Sequence, residues 1–187
     1  QLFLIILIYF FVSFLISIPF YFSDYNISFV DAYFEAISGF TATGFTTFKF
    51  ISDIDYPLIL WRSSSQWIGG FYFIIFLVLI FSHKQINFKM LDLTFNLEKK
   101  INFSSNLFNV SNRIFFIYLS LTILIFIFFL ISGIRLFDSL NLSMTVVSSG
   151  GFLPSNNLSS ILTNQTQIII FSLLMLVSFF SIFFIYN

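Results

Sequence analysis

Cysteine is absent from this 187-residue chain, and histidine occurs once. No disulfide framework or thiolate metal site can form, and one imidazole cannot build a zinc site alone. Charge is nearly as scarce. Only 9% of residues are charged, against about 25% in an ordinary globular chain. The eight basic and eight acidic residues cancel, which leaves no surplus to neutralise phosphates and excludes a nucleic-acid partner bound by bulk charge. Low charge combined with 58% hydrophobic residues also excludes intrinsic disorder. There is no Ser–His–Asp grouping at workable spacing, no paired histidine and no glycine-rich phosphate loop ahead of a lysine. Neither an enzyme nor a covalently bound cofactor is expected. No basic stretch precedes Leu2, so a secretory signal is not expected. The chain opens at Gln1 inside one apolar run and closes at Asn187 just after another, which reads as a fragment of a longer protein.

What the chain has in abundance is apolar sequence, with Phe alone contributing 32 residues. Such a composition would aggregate in water, so the lipid bilayer is its natural solvent. Four long apolar runs cover residues 2–22, 57–82, 114–134 and 168–186, and only Arg62 interrupts them with a charge. A helix needs about 20 such residues to cross a hydrocarbon core. Uninterrupted runs read as helices rather than as alternating barrel strands. Residues 83–113 hold five of the eight basic residues and belong on the cytoplasmic side; the acidic stretch 23–56 belongs outside.

Two segments between these runs are too apolar for solvated loops and too short to cross and return. They are residues 28–48, SFVDAYFEAISGFTATGFTTF, and residues 138–154, DSLNLSMTVVSSGGFLP. An apolar half-helix, about 29–40 in the first copy, followed by a Gly/Thr/Ser stretch reads as a re-entrant segment. Irregular backbone at membrane depth is tolerated where it lines a cavity. Ser28 with Asp31 is a capping pattern for the half-helix. Adding 107 to a residue number takes Asp31 to Asp138, Thr41 to Ser148, Gly44 to Gly151 and Phe45 to Phe152. The unit helix–pore-loop–helix therefore occurs twice, and a path at the interface of repeats is expected. An ion that loses its water needs replacement oxygens. Backbone carbonyls of Thr41, Ala42, Thr43, Gly44 and Phe45, and of Val147, Ser148, Ser149, Gly150 and Gly151, are the candidates. The negative ends of the half-helices would favour a cation there. The alternative reading is a non-transporting membrane scaffold or subunit whose Gly/Ser/Thr stretches only pack helices.

Three stretches carry a resemblance to a known family: DAYFEAISGFTATG at 31–44, LWRSSSQWIGG at 60–70, and the segment from Phe137-Asp138 to Gly150-Gly151-Phe152. The chain resembles the Trk/Ktr/HKT superfamily of cation transporters, most closely the bacterial TrkH-type potassium uptake subunits. The resemblance implies an all-α integral membrane protein with two tandem helix–pore-loop–helix repeats, half of a four-repeat K+-channel-like pore. It assigns 1–83 to the first repeat, 84–112 to a cytoplasmic linker and 113–187 to the second repeat, with Gly44 and Gly151 as filter glycines. It further implies K+ as the transported ion, held at the filter residues above, and two further pore repeats as partners. A homodimer with a cytoplasmic nucleotide-binding regulatory subunit, multi-pass in the bacterial inner membrane, is also implied. Neither loop carries the TVGYG sequence of potassium channels, so a simpler filter is implied.

The remaining polar and aromatic residues have plainer expectations. Arg62 is expected to snorkel to the outer interface or to pair with an acid such as Asp55. Trp61 and Trp67 are expected as interfacial anchors, and Gly69-Gly70 as a point of close helix approach. Gln66 is read equally as a partner of a pore loop or of another helix. Asp31 and Glu35 could gather cations at the mouth, with a helix cap the competing role for Asp31. His83 is expected at the interface, the Ser63–Ser65 run on a packed helix surface, and Phe126–Phe129 against lipid or neighbouring helices.

Overall fold

A computed structural model of the protein describes residues 2–83 and 103–184. Each of the four apolar runs forms a helix: α1 (Leu2–Tyr21), α3 (Tyr56–His83), α4 (Phe103–Ile131) and α6 (Gln165–Phe184). At about 1.5 Å per residue, each is about 30 Å long or more. By length and composition, Asn109–Ile131 suffices to cross a membrane among the described residues, whereas Ile6–Tyr21 and Gln165–Ser178 are apolar but shorter. The segment expected as a linker, 84–112, is helical from Phe103 onward. Its Leu107, Val110 and Ile114 fall at helical spacing, so α4 starts before its apolar run does. Residues 84–102 lie outside the described residues.

The two re-entrant segments form 12-residue helices, α2 (Phe29–Phe40) and α5 (Leu136–Val147). Their limits are displaced by 107 residues at both ends. The same displacement relates the short 3-10 turns Ile51–Asp53 and Leu158–Ser160. It also relates two pairs of residues with positive φ, Asn26 with Gly133 and Ala42 with Ser149. A repeat legible in a handful of residue identities is thus repeated in the backbone.

Each half has its own core. Ile16, Phe20, Ala32, Ala36 and Phe40 bury against Ile51, Ile54, Leu58 and Ile59 in the first. Tyr118, Ile125, Phe129, Leu142, Val146 and Val147 lead the second, which also takes Ile74 from α3. Helix α3 packs on both α2 and α5 and joins the halves. Large apolar side chains stay exposed on the outer helices, among them Phe10, Phe11, Ile127, Phe128, Leu173 and Leu176. Such a surface suits acyl chains rather than water. Within the Phe126–Phe129 run, Phe128 is exposed and Phe129 buried, so the run serves both lipid and core.

Candidate functional site

Helices α2 and α5 end in the same way. The N–H of Ala42 donates to the Gly39 carbonyl (2.8 Å) and that of Thr43 to Ser38 (2.9 Å). In the second copy, Ser149 donates to Val146 (3.1 Å) and Gly150 to Thr145 (3.0 Å). This is the Schellman closure, which puts the residue after the C-cap in the left-handed region. That residue is Ala42 (φ 54) in one copy and Ser149 (φ 53) in the other, neither of them glycine. A side chain there costs about 1–2 kcal/mol. Ala42→Gly and Ser149→Gly should each raise stability by about 0.5–1 kcal/mol in denaturant unfolding, since glycine's larger unfolded-state entropy returns part of the gain.

Beyond these turns the two strands meet at the two register-mated glycines. Gly44 has φ +82, and a Cβ built on it would overlap the Gly151 backbone. A Cβ on Gly151 would sit 3.1 Å from Gly44 Cα and 3.3 Å from the Thr43 oxygen. The strand N–H groups are held from behind. Gly44 also donates to the Ser38 carbonyl (3.3 Å), and Gly151 and Phe152 donate to Gln66 Oε1 (3.0 and 2.9 Å). Among the described residues, no hydrogen-bond donor reaches the carbonyls of residues 41–45 or 148–151. These carbonyls lie where the negative ends of α2 and α5 converge. Val147 differs from its neighbours. It is buried at the end of α5, and its carbonyl accepts from the Ser178 hydroxyl of α6 (3.4 Å). Thr41 and Thr43 contact each other through their hydroxyls.

Arg62 pairs with an acid, as one of its expectations had it, but the acid is Glu35. It does not reach an interface or Asp55; it is 1% exposed, and its Nε donates to Oε1 of fully buried Glu35 at 2.8 Å. Glu35 therefore does not gather cations at a mouth. It also accepts from the Thr46 hydroxyl (2.9 Å) and the Thr47 N–H (2.9 Å), so it ties α2 to the strand after Gly44. Arg62 reaches the other half as well, donating to the Leu153 carbonyl (3.3 Å) and lying over the Phe152 ring (4.2 Å). The reason is desolvation: where α2 crosses α3, each charge is out of water and needs its partner. Arg62 is the one charge in its apolar run, but the acidic stretch offers several carboxylates, and 27 residues of separation set no register with Glu35.

Of its two expected partners, Gln66 takes the loop of the second half, bonding the strand that follows α5. Gly69 and Gly70 do permit close approach: a Cβ on Gly69 would overlap the Phe40 carbonyl, and one on Gly70 would reach 2.8 Å from Ser148 Cβ and the Tyr118 hydroxyl. Gly69→Ala should therefore destabilise by about 1–3 kcal/mol in thermal unfolding, because the Phe40 backbone must move. Ser28 caps α2: its hydroxyl accepts from the Asp31 N–H (3.2 Å) and donates to the Asp31 carboxylate (2.6 Å), so Asp31 takes the helix-start role rather than standing free at a mouth. Trp61 is partly exposed and bonds the Ile16 carbonyl (3.0 Å). Trp67 departs from an anchor's role: it donates to the Thr122 hydroxyl (2.9 Å) and packs on Tyr118, tying α3 to α4. Ser63 and Ser65 are buried packing residues. The expectation for the His83 side chain lies outside the described residues.

A family model described as "TrkH: Cation transport protein" matches residues 3–185. An uncharacterized cation transporter of Methanocaldococcus jannaschii is 33% identical over 144 residues, covering 77% of this chain and 30% of that protein. The Trk system potassium uptake protein TrkH of Vibrio parahaemolyticus is 30% identical over 142 residues, covering 73% and 29%. The crystal structure of the potassium transporter TrkH from V. parahaemolyticus superposes with a TM-score of 0.76 at 25% identity, covering 95% of this chain and 35% of that one. The chain thus spans about a third of the length of the relatives it matches.

Proposed function

Because this chain belongs to the TrkH family of cation transport proteins, we propose that its two glycine strands form half of a cation filter and that the complete protein takes up potassium. The observation that carries the reading is the meeting of Gly44 and Gly151, with carbonyls on both strands that no donor among the described residues reaches. Such carbonyls replace an ion's hydration shell, and a filter must bind strongly enough to admit the ion yet weakly enough to release it. Thr41–Phe45 supply one wall and Ser148–Gly151 the other, with Val147 at its edge. The names of the curated relatives as potassium uptake proteins support K+ as the ion. Two strands cannot enclose an ion, so two further repeats complete the ring, in the same polypeptide or a second chain. On this reading residues 1–83 and 113–187 are pore repeats joined through 84–112. The protein is multi-pass in a bacterial cytoplasmic membrane and acts as a transporter, not an enzyme. A homodimer with a nucleotide-binding cytoplasmic subunit follows from the family resemblance.

Cysteines introduced at Thr43 and Ser149 of the complete protein test this reading. Both should react with an external thiol reagent and be protected by K+. Inertness with and without K+ would favour the scaffold reading, in which the same stretches only pack helices.

A further inference from the structure

Gln66 sits on α3, one turn beyond Arg62, and is fully buried. Its Oε1 accepts two hydrogen bonds from adjacent residues of the other half, Gly151 at 3.0 Å and Phe152 at 2.9 Å. Its Nε2 has no hydrogen-bond partner among the described residues, so the acceptor alone is in use there. The room for this side chain comes from Gly150, where a Cβ would overlap Cδ, Nε2 and Oε1 of the Gln66 amide. Gly150 does not have a positive φ, so no backbone conformation demands glycine there; the Gln66 amide does. In a trans peptide the carbonyl points opposite to the N–H that follows it. Two consecutive N–H groups turned toward Gln66 therefore turn the Gly150 and Gly151 carbonyls away from α3.

We propose that Gln66 is a positioning residue that sets the direction of the Gly150 and Gly151 carbonyls and thereby the protein's preference between K+ and Na+. The inference rests on the filter reading above. It makes the first half of the chain responsible for the filter strand of the second. Without the acceptor, the buried Phe152 N–H and the partly buried Gly151 N–H lose their partner, and rotation of either peptide would satisfy one of them while withdrawing a carbonyl from the ion.

The test is K+ uptake against Na+ competition by the complete protein, in cells lacking their own potassium uptake, alongside thermal unfolding of the purified variants. Gln66→Leu removes the acceptor, and Gly150→Ala evicts it from the other side. Both should lower K+/Na+ preference at least about tenfold, the size expected for a buried donor left unpaired. Gln66→Glu keeps an acceptor of the same reach and should keep the preference. If Gln66→Leu and Gly150→Ala fold and retain the preference while Gly44→Ser loses it, the inference is overturned and the filter reading stands. If Gly44→Ser retains it too, the filter reading itself falls. Loss of preference in Gln66→Glu equal to that in Gln66→Leu would also overturn the inference. If Gln66→Leu does not fold, Gly150→Ala and Gln66→Glu decide it, and failure of Gly150→Ala to fold as well would assign Gln66 to folding alone.

Discussion

Arg62→Met should lower the stability of the protein by about 3–5 kcal/mol, because it strands a buried carboxylate without its counter-charge. Glu35 is fully buried and Arg62 nearly so, with a single close ion contact between them. Neither charge can be rehydrated where α2 crosses α3. Glu35→Leu should cost a similar amount for the mirrored reason. The double variant Glu35→Leu/Arg62→Met should recover much of the loss, since removing both charges removes the desolvation problem. Recovery should be incomplete: the Thr47 N–H and the Leu153 carbonyl would each lose a partner. Denaturant unfolding of the purified protein in detergent measures all three. Wild-type stability in both single variants would mean that the pair carries none of the fold.

The second large effect is expected at Gly44. Gly44→Ala adds a methyl group at a φ of +82, directly against the Gly151 backbone. Left-handed strain of about 1–2 kcal/mol and overpacking of about 1–3 kcal/mol act together. On the filter reading, the strand must shift to accept the methyl, and potassium uptake by the complete protein should fall by roughly 30-fold or more, at about 1.4 kcal/mol per factor of ten. Gly44→Ser should in addition weaken K+ preference over Na+. Gly133→Ala is the matched control. Gly133 has φ +85, but the nearest atom to its missing Cβ is Gln167 Nε2 at 4.0 Å. It should lose about 1 kcal/mol of stability and keep its ion preference. Equal transport defects at both glycines would attribute the effect to general destabilisation rather than to the filter.

Much of the architecture was legible before the structure. Four apolar runs became helices because a chain with 9% charge has few other ways to satisfy its backbone away from water. The half-helix expected at 29–40 is α2 to the residue, since Ser28 and Asp31 cap its start and the Schellman turn stops it. The displacement of 107 residues was readable from Asp31, Gly44 and Phe45 against Asp138, Gly151 and Phe152. It extends to turns and φ signs at positions where the residue types differ, such as Asn26 and Gly133. Helix α4 extends N-terminally beyond its uninterrupted apolar run because its first turns mix polar and apolar residues, and a hydropathy run marks only the apolar part of a helix.

The sequence by itself determined the fold class, the twofold repeat and the pairing of Gly44 with Gly151, because periodicity and register are properties of order along the chain. Only the tertiary structure decided which polar groups face one another. It joined Arg62 to Glu35 rather than to Asp55, and gave Gln66 to the strand of the opposite half. It explained Gly150 by a neighbouring amide rather than by a turn. These pairings span 27 to 86 residues. They depend on how α2 and α5 pack against α3, and local spacing carries no information about a contact set by the crossing of distant helices.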